Sequence, residues 1–418
     1  MEDHKYRDMA QNVAITLLAV LAVVLFTRTQ LYSLGLDEGR VLDQSAQETG
    51  AVTAQAAALA APVRVVITGA YGRYGGVALT TAQEGFDDPL GRRLAEALGS
   101  AQNSAPCTLD DFLKALDGPS VYYDFLEPLP LSVIAELAGG SEAAGDETIS
   151  ARRLVLSGQG GGTANLYLWD GGETCVRCST AVSADSLEQA AGRYELGGAS
   201  FALDREDTTL APYSLLLEET PTLPVLTAGD PLASGTDWLL TALGFNPRTR
   251  HTESNGTEII IDGDRSLRIR PDKSVYYQSG RDPAITVEAK DDLPTLREAA
   301  QGTSALLSTL LSPVSGDAQP YLKSVRQNGS TTTLTYGYQS NGVPIQFPNE
   351  TAAEVTLTNA AVTSVTLRFR QYTATEEPSL LLPLKQALAV ASYRPNAELS
   401  ILYVDRGSGT CTACWVAE

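Results

Sequence analysis

The chain opens with a polar head at 1–9 and then turns apolar almost without interruption from Val13 to Phe26. The stretch 10–27 just reaches the length a helix needs to cross a bilayer, about 17 residues. It is long for a signal-peptide core, and no small-x-small cleavage site follows it closely, so it predicts an uncleaved transmembrane anchor. Lys5 and Arg7 before the run are matched by Arg28 and Arg40 after it, which leaves the local charge balance without a vote on orientation. A single N-terminal anchor ahead of a large body most often exports that body, so the remainder is expected outside the cytoplasm. Residues 28–61, rich in Ala and Gln, predict a helical stalk or linker.

Beyond the stalk the pattern changes to short alternating segments. Residues 62–140 predict an α+β unit: a strand at PVRVVITG, helices at GFDDPLGRRLAEALGSA and TLDDFLKALDG, then a strand, a proline turn and a helix in SVYYDFLEPLPLSVIAEL. The acidic Gly/Ala stretch at 139–150 reads as the boundary. From 151 to 282 strands dominate, with a helix at GTDWLLTALGF and a meander at TEIIIDGDRSLRIRPDKSVYYQ whose Asp262-Gly263 fits a tight hairpin. The unit 292–418 starts with a helix near 293–311, Pro294 suiting an early helical position. Strands, a helix in PSLLLPLKQALAVASY and a final hairpin follow. In VTLRF, Val365, Leu367 and Phe369 share one face, as in a half-buried antiparallel strand. The expected fold class is α+β: a single transmembrane helix, then two to three extracytoplasmic domains of mostly antiparallel sheet with packed helices, the last two alike.

A net charge of -20 over 418 residues excludes nucleic acid, which needs a basic stripe to displace counterions, and disfavours anionic lipid. Two histidines and few lysines remove most ordinary general bases. There is no G-x-S-x-G elbow and no Ser-x-x-Lys dyad, and SGQGGGTANLY lacks the Gly-Lys ending of a phosphate loop. His4 sits in the polar head and His251 in the polar stretch PRTRHTESNG. The pairs Asp87-Asp88, Asp110-Asp111 and Asp291-Asp292 fall where helices are expected to begin, where capping accounts for them. No catalytic residue and no cofactor is expected.

Cys175 and Cys178 form one C-x-x-C, Cys411 and Cys414 another, and Cys107 stands alone, expected to be buried. In extended strand the two cysteines of a motif lie about 10 Å apart, beyond the roughly 7 Å a disulfide tolerates. Three readings stay open: locally bent disulfides, unpaired semi-buried thiols, and a metal site from Cys175, Cys178, Cys411 and Cys414.

The order of these elements resembles the YycH/YycI family, membrane-anchored accessory proteins of the WalK (YycG) sensor histidine kinase, and is closer to YycH in length and three-part exterior. The stretches SVYYDFLEPLPLSVIAEL, WLLTALGFNPRTRHTESNGTEIIIDGDRSLRIRPDKSVYYQS and LTYGYQSNGVPIQF, with the tail around Trp415, carry the likeness. The family tail usually has a proline near this tryptophan, where Ala413-Cys414 stands here. The resemblance implies a non-enzymatic regulator that binds a membrane sensor histidine kinase and a sister YycI-like protein. Ala14, Ala19 and Ala22 are the small residues of the anchor that would permit close helix packing. The competing readings are a module binding an envelope ligand or metal, and an enzyme of unrecognised type.

Overall fold

The computed structural model describes residues 52–54, 59–69, 74–82, 90–140, 149–172, 175–193, 197–347, 351–407 and 409–418. The expected anchor at 10–27, with Ala14, Ala19 and Ala22, lies outside the described residues. Among those described, no helix is long and apolar enough to cross a membrane. Gly50–Glu418 forms one compact unit.

The chain is α+β, with sheets that are almost wholly antiparallel. A strand β1 (Val52–Ala54) precedes a first sheet of β2 (Pro62–Thr68), β3 (Tyr74–Thr81), β4 (Gln102–Cys107), β5 (Ser120–Pro130), β6 (Ser150–Ser157), β7 (Thr163–Trp169) and β8 (Cys175–Ser183). Its strand order is β3-β2-β5-β6-β7-β8-β4. A hairpin of β9 (Ala199–Phe201) and β10 (Leu215–Leu217) leads to the second sheet. That sheet takes β11 (Pro224–Gly229), β12 (Arg250–Thr252), β13 (Glu258–Asp262), β14 (Arg265–Ile269), β15 (Ser274–Gln278), β16 (Ile285–Val287), β17 (Gln319–Asn328) and β18 (Thr331–Ser340). It continues with β19 (Val343–Gln346), β20 (Ala353–Thr358), β21 (Ala361–Arg368), β22 (Gln371–Pro378), β23 (Leu399–Asp405) and β24 (Thr410–Ala417). The described helices are α1 (Leu90–Ser100), α2 (Leu109–Lys114), α3 (Leu131–Leu137), α4 (Ala184–Ala191), α5 (Asp237–Ala242), α6 (Leu296–Leu310) and α7 (Leu384–Ala391).

Two predicted boundaries are replaced by sheet continuity. β5 and β6, which precede and follow the expected border, pair antiparallel through Tyr122↔Val155 and Tyr123↔Leu154, so the border falls within one sheet. Likewise β15 pairs with β21 through Tyr277↔Val365, which joins the middle meander to the C-terminal strands. A polar, glycine-rich connection has the composition of a linker wherever it runs over the surface, and only strand pairing tells the two apart. The stalk is corrected in part as well. Val52–Ala54 pairs in parallel with β16, and Leu59 and Ala61 are buried.

Other expectations hold. Val365, Leu367 and Phe369 are all buried, and the 262–263 turn closes a hairpin at Asp262↔Arg265 with Gly263 at φ 64°. The 296–310 helix forms, but Thr295 is its N-cap, in a capping box with Glu298. Pro294 therefore precedes the cap, and Asp291-Asp292 does not supply it. Asp111 does serve in the capping box of α2 with Thr108.

One hydrophobic core runs through both sheets. The halves are tied by more than apolar packing: Glu136 at the end of α3 meets Arg297 at 2.7 Å and accepts a hydrogen bond from Gln301 at 2.6 Å, both on α6.

Candidate docking groove

The most exposed apolar residues gather around α7. Pro378 ends β22 and Pro383 fixes the entry into α7, and Leu380, Leu381 and Leu382 lie in the connection between them, where the Leu381 amide donates back to the Ser379 carbonyl at 3.0 Å. Leu384, Ala387, Leu388 and Ala391 follow helical i, i+3, i+4, i+7 spacing and pack with Leu399 and Trp415 in a satellite core. The same segment also carries apolar residues on its outer side. Leu380 is 93 % exposed, Val390 63 % and Tyr393 88 %. Scattered exposed apolar residues are ordinary, whereas a contiguous cluster marks an interaction surface.

These residues wall a groove of about 520 Å³ that runs from Leu380 and Val390 across the end of β24 at Cys414, Trp415 and Val416. Trp415 Nε1 donates to the Leu382 carbonyl at 2.9 Å and ties this connection to β24. β24 pairs with β11 only at Thr410 and Cys411 on the side away from β23; beyond them, Ala413 N donates to Ser379 Oγ at 3.0 Å, and Arg394 Nη1 donates to the Ala417 carbonyl at 2.7 Å. Arg394 and Arg406 line the groove and, among the described residues, no carboxylate does. Glu418 stands beside it and accepts from the groove residue Gln346 at 3.1 Å.

The floor strand β23 is held to the first sheet by a buried ionic cluster. Glu398, the residue before β23, accepts from Arg64 of β2 at 2.6 Å, from Arg152 of β6 at 2.7 Å, and from Arg153. Asp124 of β5 accepts from Arg64, from Arg152 Nε at 3.0 Å and from the Leu126 amide at 2.8 Å. Arg64 also donates to Ser400 at 3.2 Å. The guanidinium of Arg153 lies 4.9 Å from the Trp169 ring centre and 4.3 Å from that of Tyr213, a cation–π placement. Burial alone would raise the Asp124 pKa, but Arg64, Arg152 and Arg153 outweigh it and hold the carboxyl well below the usual carboxylate range. Burial opposes the Arg64 charge too, and there Asp124 and Glu398 prevail. Buried charges are tolerated when paired in this way, and breaking one pair strands the others. Sequence reasoning missed this cluster. Its trace is the pair Arg152-Arg153 inside the otherwise apolar strand ARRLVLS.

The cysteines are placed differently from all three readings taken singly. Cys175 pairs with Cys107, directly opposite it on β4, at a Cα–Cα distance of 5.1 Å. Cys107 is half-buried rather than buried, and the remaining thiols are free: Cys178 and Cys411 buried, Cys414 half-buried in the groove wall. Neither C-x-x-C closes on itself, as the strand spacing requires. The four candidate metal ligands Cys175, Cys178, Cys411 and Cys414 are not brought together, since β8 lies in the first sheet and β24 in the second. Among the described residues no group of three or more His, Cys, Asp or Glu side chains is poised around a common point. His251 sits exposed on β12, the end strand of its sheet.

A second hollow of about 600 Å³ is more polar, with Lys323, Arg368 and Glu354 around the buried Tyr321 and Tyr336. Neither protein-family models nor curated proteins give a match to this chain.

Proposed function

We propose that the chain is a membrane-tethered extracytoplasmic regulator that acts by contact with a sensor histidine kinase, as its resemblance to the YycH/YycI family implies, and that it performs no catalysis. The observation carrying this reading is the apolar groove beside α7, whose exposed Leu380, Val390 and Tyr393 have the character of a protein-binding surface. The Cys107–Cys175 disulfide supports an exterior location, since such bonds persist in oxidising compartments. A tether at 10–27 would keep the groove within reach of a kinase in the same membrane and raise its effective concentration.

Affinity purification of the full chain from gently solubilised membranes tests the reading. A sensor histidine kinase of the same membrane is expected to co-purify, and a Val390→Asp, Tyr393→Asp double variant is expected to lose it while keeping the parent's thermal midpoint. Consistent absence of the kinase from the parent's eluate overturns the proposal. A second reading, binding of an envelope ligand, is favoured by the polar hollow at Lys323 and Arg368. It predicts that Lys323→Ala, not Val390→Asp, abolishes function in cells.

A further inference from the structure

We propose that the groove between α7 and β24 receives an amphipathic helix of the partner protein, its apolar stripe flanked by carboxylates. This deepens the regulatory reading and rests on it. The first argument is charge. The chain carries a net charge of -20, yet the described residues lining this groove include two guanidinium groups, Arg394 and Arg406, and no carboxylate, Glu418 standing just beside it. An apolar trough with a cationic rim in an acidic molecule selects a segment with apolar anchors and acidic flanks, and the surrounding negative charge repels acidic segments that dock elsewhere.

The second argument is backbone chemistry. A groove along a strand edge invites strand addition, in which main-chain groups of the newcomer continue the ladder. The part of β24 beyond its pairing with β11 is blunted against this. Ser379 Oγ takes the amide of Ala413, and Arg394 takes the carbonyl of Ala417. An incoming strand would have to displace both, whereas a helix satisfies its own backbone and needs only side-chain contacts. A guanidinium has five donors, so Arg394 keeps its bond to Ala417 and still meets a carboxylate. The volume of about 520 Å³ suits the few anchors, at i, i+3 or i+4 and i+7, that a helix lays into a groove.

Other occupants fit less well. A second copy of this chain would set Arg394 and Arg406 against their own kind across a two-fold axis and bring two strongly acidic bodies together. An anionic membrane meets the same net repulsion with only two cations at the site to offset it.

The test places a photo-reactive benzophenone side chain at Val390 of the full chain in its native membrane, irradiates, and maps the captured peptide by mass spectrometry. The expected adduct lies on an apolar stripe of helical spacing with Asp or Glu within one turn. Arg394→Glu with Arg406→Glu lowers its yield about five-fold or more, and Arg394→Lys with Arg406→Lys retains it. Should the glutamate pair unfold the chain, the identity of the segment captured by the parent and the lysine pair decides. An adduct with lipid, with a second copy, or with an extended or non-acidic segment overturns the inference, as does no adduct. Capture of an acidic helix from a protein other than the kinase leaves this inference standing and removes the kinase reading. Co-purification of the kinase with no capture at Val390 does the reverse.

Discussion

Asp124 concentrates the physical question of the molecule in one side chain. It is 1 % exposed and surrounded by Arg64, Arg152 and Arg153, and those charges rather than its burial decide its ionisation. Because its pKa in the folded state lies below its unfolded value, its contribution to stability is complete above the ordinary carboxylate range and is lost as pH falls through the folded value. The urea midpoint is therefore expected to lose an Asp124-dependent share only below about pH 4. Asp124→Asn should cost about 3–5 kcal/mol at neutral pH, the loss typical of a broken buried pair, and should remove that share of the acid limb. An acid limb identical in parent and variant would refute the assignment. The thiols give a second residue-level test. Burial, reinforced by Asp405, pushes the Cys411 thiol up to about 12, and burial raises Cys178 and Cys414 as well. Three thiols should titrate in the denatured, unreduced chain and five after reduction. In the native state at pH 8, Cys414 should label before Cys178 and Cys411, because it alone of the three is not fully buried.

At the scale of single elements, α6 shows how a propensity rule changes sign in context. Gly302 sits within this helix, where replacement by alanine ordinarily gains about 1 kcal/mol. Here an added Cβ would come within 2.6 Å of the Val287 side chain on β16. Gly302→Ala should instead destabilise by about 1–3 kcal/mol in chemical denaturation, the usual cost of overpacking, and Val287→Ala should recover part of it in the double variant. Additive losses would exclude this contact as the cause. The contrast explains which elements were readable beforehand. Alternation in VTLRF, the Asp-Gly hairpin and a capping role for the Asp110-Asp111 pair depend on residues within a few positions of one another, and the structure bears them out, Asp111 capping with Thr108. The pairing of Cys107 with Cys175 spans 68 residues, and it follows from β4 lying beside β8, a neighbourhood no local pattern encodes. The groove was hidden for a related reason. LLLPLKQALAVASY is apolar on two sides of its helix, and only the packed sheet reveals that Leu384 and Leu388 are spent on the core while Val390 and Tyr393 are left outside.

For the molecule as a whole, composition suggested two to three bodies in a row, whereas the strand order makes two large sheets, beside the β9-β10 hairpin, whose members cross both suggested borders. Arg64, Arg152 and Arg153 from the first sheet, themselves held by Asp124, converge on Glu398 at the threshold of the second, so the groove floor inherits its position from strands more than two hundred residues earlier in the chain. This arrangement has a consequence for cutting the chain. A specific protease site placed within 141–148 lies between α3 and β6, at the stretch whose composition resembles a linker. Were it a border between independent domains, the nicked pieces would part once the Cys107–Cys175 bond, which also spans the cut, is reduced. Pairing of β5 with β6 from Ser120↔Ser157 through Asp124↔Arg153, together with Asp124–Arg152 pairing across the same cut, predicts that they remain one particle. Gel filtration of the nicked, reduced protein should thus give a single peak at the elution volume of the uncut chain, with separation only in denaturant. Two peaks in native buffer would show that the sheet does not hold the halves together, and the ionic cluster would then lose its role in setting the groove.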